Sequence, residues 1–132
     1  MAYTLPALAT LLNVLLQAAT MLLVGRARGR YGIHAPAISG HPLFERAYRV
    51  QMNTLEASLM FLPTLWLAAG YGFPRWAGLV GLLWIVGRIG YAVGYLRDPA
   101  QRKYGFLLAG LSWLVLLGLA VVGIGHALLA GG

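Results

Sequence analysis

The sequence predicts an all-α integral membrane protein, a bundle of four transmembrane helices. Three observations carry this: the scarcity of charge, four apolar runs of spanning length, and the placing of the few cations. Of 132 residues, 60% are hydrophobic and 10% charged, and the mean hydropathy is +0.75. A soluble chain carries roughly 25% charged residues, and so small a body cannot cover this much apolar surface with its own polar groups. Lipid is its natural solvent. The formal net charge of +7, from ten Lys and Arg against three acids, points in so apolar a chain to loops beside a membrane rather than to nucleic acid. Cysteine is absent, so there is no disulfide framework, cysteine metal site or nucleophilic cysteine, and any thiol chemistry needs a thiol brought from outside.

Each apolar run is close to the roughly 20 residues that a spanning helix requires. The spans cover about residues 5–24, 50–69, 76–95 and 106–129, in a single four-helix membrane domain over residues 1–132. The first run lacks a basic n-region and an A-x-A-like cleavage site, and its positive charges follow it, so it reads as a retained helix rather than a signal peptide. The third run follows the turn Gly72-Phe73-Pro74. Between the first two runs, residues 29–42 contain Gly, Pro, His and Ser in a pattern suited to an ordered loop. Arg26, Arg28, Arg30, Arg46, Arg49, Arg97, Arg102 and Lys103 fall around the first and third connections, while the second has only Arg75. By the positive-inside rule the first and third connections face the cytoplasm and both termini lie on the opposite side. Gly90 and Gly94 form a small-xxx-small pair suited to close helix packing.

The polar residues within the apolar runs are the functional candidates. Across the start of the second span, Glu45, Arg49, Asn53 and Glu56 fall on a stripe roughly 80° wide at 100° per residue. Such groups are expensive in hydrocarbon and face a bundle interior or a water-filled cavity, which makes the ridge a candidate site. The competing reading is that Arg49 and Glu56 neutralise one another and pin helix packing. Gln51 points almost oppositely from Arg49, as would suit a site shared with another neighbour. In the third span, Trp84, Arg88, Tyr91 and Tyr95 share one face at i, i+4, i+7 and i+11, which would line one surface near the cytoplasmic end with an arginine and two phenols. The competing reading is an interfacial aromatic belt, the better account of Tyr95 taken alone. The following Leu96-Arg97-Asp98-Pro99-Ala100-Gln101-Arg102-Lys103 holds a helix-interrupting proline and three cations. Together these elements suit a small, multiply charged, hydrogen-bonding ligand. His34 and His41 read as loop histidines and His126 as interfacial, because a metal needs three or four convergent ligands. No P-loop, G-x-S-x-G or H-E-x-x-H motif occurs.

These residues resemble the membrane-associated proteins in eicosanoid and glutathione metabolism, the MAPEG family, and most of all its leukotriene C4 synthase and microsomal glutathione transferase branch. Residues 44–56, Phe-Glu-Arg-Ala-Tyr-Arg-Val-Gln-Met-Asn-Thr-Leu-Glu, match the family signature E-R-x-x-R-x-Q-x-N-x-x-E. Leu15-Leu16-Gln17-Ala18, Thr64-Leu65-Trp66 and Arg88-Ile89-Gly90-Tyr91-Ala92-Val93-Gly94-Tyr95 extend the likeness over essentially the whole chain. The resemblance implies a homotrimer of four-helix subunits with glutathione between neighbours on the cytoplasmic side. Carried over by position, Arg28, Arg49, Gln51, Asn53, Glu56, Tyr91 and Tyr95 hold glutathione, with Arg28 and Gln51 coming from the adjacent subunit, and Arg102 lies beside the sulfur as the catalytic residue.

The implied activity is glutathione transfer to a hydrophobic or lipid-derived electrophile entering from the membrane lipid, or reduction of a lipid hydroperoxide, in a detoxification role. Two positions depart from the branch: the tyrosine after the motif glutamate is Ala57 here, and the arginine after the position of Arg28 is Gly29. The compact, loop-poor chain is similar to bacterial members, which implies a bacterial inner membrane. Two other classes compete. A non-catalytic lipid-binding relative would not need Arg102 and both tyrosines. A small multidrug exporter needs a carboxylate that cycles protons without a permanent cation partner, whereas Glu56 shares its helix face with Arg49 and Asn53.

Overall fold

The computed structural model describes residues 1–131, and within them the regular structure is entirely helical. Helix α1 spans Thr4–Tyr31, α2 Pro42–Gly70, α3 Pro74–Arg97 and α4 Lys103–Leu129, with a 3-10 turn over Pro99–Arg102 between the last two. Helices α1, α3 and α4 are long and apolar enough to cross a membrane. Helix α2 is as long but carries Glu45, Arg46, Arg49 and Glu56 and is not among them.

The helices reach beyond the apolar runs, and the cations ride on their ends. Arg26, Arg28 and Arg30 occupy the last turns of α1, where the exposed carbonyls of the helix terminus favour positive charge. Gly32 ends α1 in a left-handed conformation with φ 64°, and its N–H and that of Ile33 both return to the Arg28 carbonyl, a closure that glycine reaches without a Cβ penalty. Helix α2 starts at Pro42, the first-turn position where a missing N–H leaves no bond unmade. His41 caps it, its Nδ1 accepting from the Leu43 N–H at 3.1 Å. Asp98 interrupts the chain after α3 and caps the 3-10 turn by accepting from the Ala100 N–H at 3.1 Å.

Small residues let the helices meet closely in the apolar core formed by Ala9, Phe61, Leu65, Ala68, Trp84 and Leu116 with their neighbours. The Phe61 and Trp84 rings stack at 3.8 Å between α2 and α3. Pro63 lies inside α2, and next to it the indole of Trp113 on α4 donates to the Met60 carbonyl at 3.3 Å and to Thr64 Oγ1 at 3.2 Å, which ties α4 to α2. The expected pair Gly90 and Gly94 divides in use. Gly90 sits at ordinary packing distance from Gly105, whereas a Cβ on Gly94 would come 2.5 Å from the Gln101 carbonyl oxygen. Gly94 therefore admits the 3-10 turn that carries Arg102.

Gly94→Ala should lower stability by about 1–3 kcal/mol through this overlap, whereas Gly118→Ala, which meets no atom within 4 Å, should leave it nearly unchanged. Thermal unfolding of the two variants in detergent checks the contrast.

Candidate functional site

The candidate site begins with a cation that α3 carries into the bundle. Arg88 is 2% exposed, and one nitrogen, Nη2, donates both to Asn53 Oδ1 at 2.9 Å and to Thr54 Oγ1 at 3.0 Å on α2. Its guanidinium carbon lies 4.2 Å from the centroid of the Tyr91 ring, a distance at which the ring face attracts a cation. Tyr91 is 5.7 Å from Tyr95, one turn further along α3, and Arg102 stands 5.7 Å over the Tyr95 ring. A continuous chain of contacts therefore runs Asn53, Arg88, Tyr91, Tyr95, Arg102. Arg102 also donates to the Pro99 carbonyl at 2.8 Å, so its own 3-10 turn holds it in place.

Asn53, Glu56 and Arg88 open onto a cavity of about 330 Å³ whose remaining walls include Met60, Trp84, Phe106 and Trp113. Polar groups of both signs thus meet apolar walls where α2, α3 and α4 come together. Such a cavity can orient a polar ligand at one wall and hold an apolar reactant against the others. Glu56 and Arg49 are both exposed, and the cations that tie α2 to α3 are Arg88, inside the bundle, and Arg46, which donates to the Arg97 carbonyl at 3.2 Å at its end.

Two expected ligand residues lie apart from this chain of contacts. Arg28 donates to the carbonyls of Ala37 at 2.7 Å and Ile33 at 3.4 Å and lies over the Phe44 ring at 4.9 Å, so it ties the α1–α2 connection together. Gln51 is half-buried on α2 and takes no part in the contacts around Asn53. The histidines have ordinary surroundings: His41 caps α2 and stacks on Tyr31 at 3.8 Å, and among the described residues no cluster of His, Cys, Asp and Glu could hold a metal.

Sequence reasoning missed the polar layer beneath the site. Gln17 on α1 donates to Ser58 Oγ at 2.9 Å, and the Ser58 hydroxyl lies 3.0 Å from Asn13 Oδ1 and 2.7 Å from the Thr54 carbonyl. Asn13, Thr54 and Ser58 are buried. The available signal was spacing: Thr54 and Ser58 stand one turn apart on α2, as do Asn13 and Gln17 on α1.

The fold and this arrangement define a membrane protein with a polar site set into a helical bundle. Residues 6–122 match the MAPEG family, and the chain belongs to it. It is 46% identical to the uncharacterized protein sll1147 of Synechocystis over 85% of this chain and 82% of that one. It is 40% identical to the leukotriene C4 synthase of Cavia porcellus, over 87% of this chain and 77% of the relative. Against the human microsomal glutathione S-transferase 2 the identity is 38%, over 84% and 79% of the two chains.

Ser58→Ala should cost about 1 kcal/mol, the scale of a hydrogen bond between membrane helices, because it strips partners from Gln17 and Asn13 together. Unfolding in mixed micelles would register the loss, and an unchanged midpoint would remove Ser58 from the layer's energetics.

Proposed function

We propose that this protein is a glutathione S-transferase of the membrane, working as a homotrimer of four-span subunits with its sites toward the cytoplasm. The observation that carries the reading is the chain of contacts from Asn53 through Arg88, Tyr91 and Tyr95 to Arg102, beside an apolar-walled cavity that also holds Glu56. The names of relatives 40% and 38% identical to it over 87% and 84% of its length support it. So does the position of the cations, which crowd the ends of α1 and α3 and the start of α2.

The residues suit a tripeptide with two carboxylates and an amine. Guanidinium groups such as Arg49 can take a carboxylate through two parallel hydrogen bonds, which ammonium groups do not match, and Glu56 offers an acceptor for the amine. Gln51 and Arg28 stand apart from this cluster, as suits residues that serve the site of a neighbouring subunit. Tyr91 and Tyr95 add phenol groups along the same face.

Bound glutathione supplies the nucleophilic sulfur, which reacts as thiolate. Arg102, held by the Pro99 carbonyl and the Tyr95 ring, stabilises that negative charge and so raises the fraction ready to react. The walls formed by Met60, Phe106 and Trp113 take a hydrophobic electrophile from the bilayer. The same environment serves reduction of a lipid hydroperoxide as a second activity.

Calorimetry on the purified protein in detergent should detect glutathione binding, and conjugation of an aryl halide should follow; absence of binding at millimolar glutathione would sink the reading. Arg102→Ala should lower turnover about ten- to hundredfold, the worth of one hydrogen bond to a charged group, while binding survives. Replacing Arg49 or Glu56 with alanine should instead weaken glutathione affinity by about tenfold or more. An unaltered dissociation constant would return both residues to a purely structural part.

A further inference from the structure

Arg88 has no carboxylate among its hydrogen-bond partners, although it is 2% exposed in an apolar bundle. Both of its bonds leave Nη2, one for Asn53 Oδ1 and one for Thr54 Oγ1, while Nε is buried with no partner at all. A cation in such a place is costly, and joining two helices does not require charge, since the uncharged Gln17, Ser58 and Asn13 already join α1 to α2. A second role follows from its chemistry.

A guanidinium has five N–H donors and no acceptor. The group that Asn53 turns toward Arg88 must therefore be its carbonyl oxygen, whichever way an amide would otherwise be drawn. The two N–H donors of the Asn53 amide are left for the other side. That side is the cavity, which Asn53 lines together with Glu56 and Arg88. Thr54 strengthens the constraint: its hydroxyl takes the second Nη2 hydrogen, and its carbonyl lies 2.7 Å from the Ser58 hydroxyl. The turn of α2 that carries Asn53 is thus gripped from α3 and braced toward α1.

We propose that Arg88 is a positioning residue that locks Asn53 as a hydrogen-bond donor toward the cavity, so that the ligand atom met there is an acceptor, a carboxylate or peptide carbonyl oxygen. Glu56, an acceptor on the same helix face, meets the ligand's amine, and the two residues read opposite hydrogen-bonding characters one turn apart. Free asparagine has no such preference, because its amide can present either end. The proposal rests on the glutathione reading for the identity of the ligand, but the contact that enforces the orientation can be tested without any ligand.

The test is a double-mutant cycle on the purified full-length protein in detergent, using Asn53→Ala, Arg88→Met and the pair. Each single change should weaken glutathione binding about tenfold, and the pair should be little worse than either, because Arg88 acts through Asn53. The losses should appear in the KM for glutathione more than in kcat. Arg88→Lys, which keeps a buried donor, should recover most of the affinity and covers the case in which Arg88→Met does not fold. A hundredfold loss in the pair, the product of independent effects, would overturn the proposal while leaving the glutathione reading intact.

The ligand-free arm compares melting temperatures. Asn53→Asp should raise the melting temperature when Arg88 is present and lower it in the Arg88→Met background, because the carboxylate then has no cation to face. The same Asp variant should bind glutathione less well, since it offers the cavity an acceptor in place of a donor. Equal shifts in both backgrounds would overturn the contact itself. If the unaltered protein bound no glutathione, the proposed function would fall, and with it the ligand role of Asn53, while the melting cycle would still decide whether Arg88 fixes that side chain.

Discussion

A buried guanidinium that finds its acceptors on a single turn of the neighbouring helix is the constraint around which this protein is arranged. Arg88 enters from α3 and finds acceptors only on one turn of α2, at Asn53 and Thr54. Hydrocarbon offers no substitute partner, so the register between the two helices is held to the one that brings these groups together. The Thr54 carbonyl and the Ser58 hydroxyl carry the connection on to Asn13 and Gln17 of α1. A single polar layer thus runs through three helices, beside the stacked rings of Phe61 and Trp84.

That layer also decides what faces the cavity. Because Tyr91 lies against the Arg88 guanidinium and Tyr95 against Arg102, cations and rings alternate along the end of α3 into the following turn. Close backbone approach makes the alternation possible. Gly105 lies against the backbone of Tyr91, and Gly94 leaves room for the Gln101 carbonyl, so the start of α4 and the Arg102 turn sit directly over the last turns of α3. A membrane bundle cannot rely on expulsion of water to bring helices together. Small residues and satisfied hydrogen bonds do that work instead, and here the same contacts place the candidate site.

Much of this was legible in the primary structure because helical periodicity is local. The stripe of Glu45, Arg49, Asn53 and Glu56, and the face of Trp84, Arg88, Tyr91 and Tyr95, follow from 100° per residue alone. Of the third-span face, Trp84, Arg88 and Tyr91 are all buried, so for Tyr91 a core position replaces the interfacial belt that its residue type first suggests. Pro99 marked the break after α3, where the chain forms a 3-10 turn. The family likeness rested on a contiguous signature, and such a signature is read without knowing any contact.

Pairings between helices were not legible, because they depend on rotation and depth that no local pattern encodes. Arg49 and Glu56 looked like partners on one face, yet both lie exposed, and the buried cation bonds to uncharged groups across the helix boundary. Arg28 binds the carbonyls of the α1–α2 connection, because the chain folds back over the last turn of α1, a contact that no local pattern announces. Composition and periodicity alone settled that the chain is helical, belongs with lipid and gathers its polar residues on two faces. Which of those residues touch was settled by the packing of α2 against α3, where a donor-only guanidinium could accept no arrangement but one that turns the Asn53 oxygen toward it.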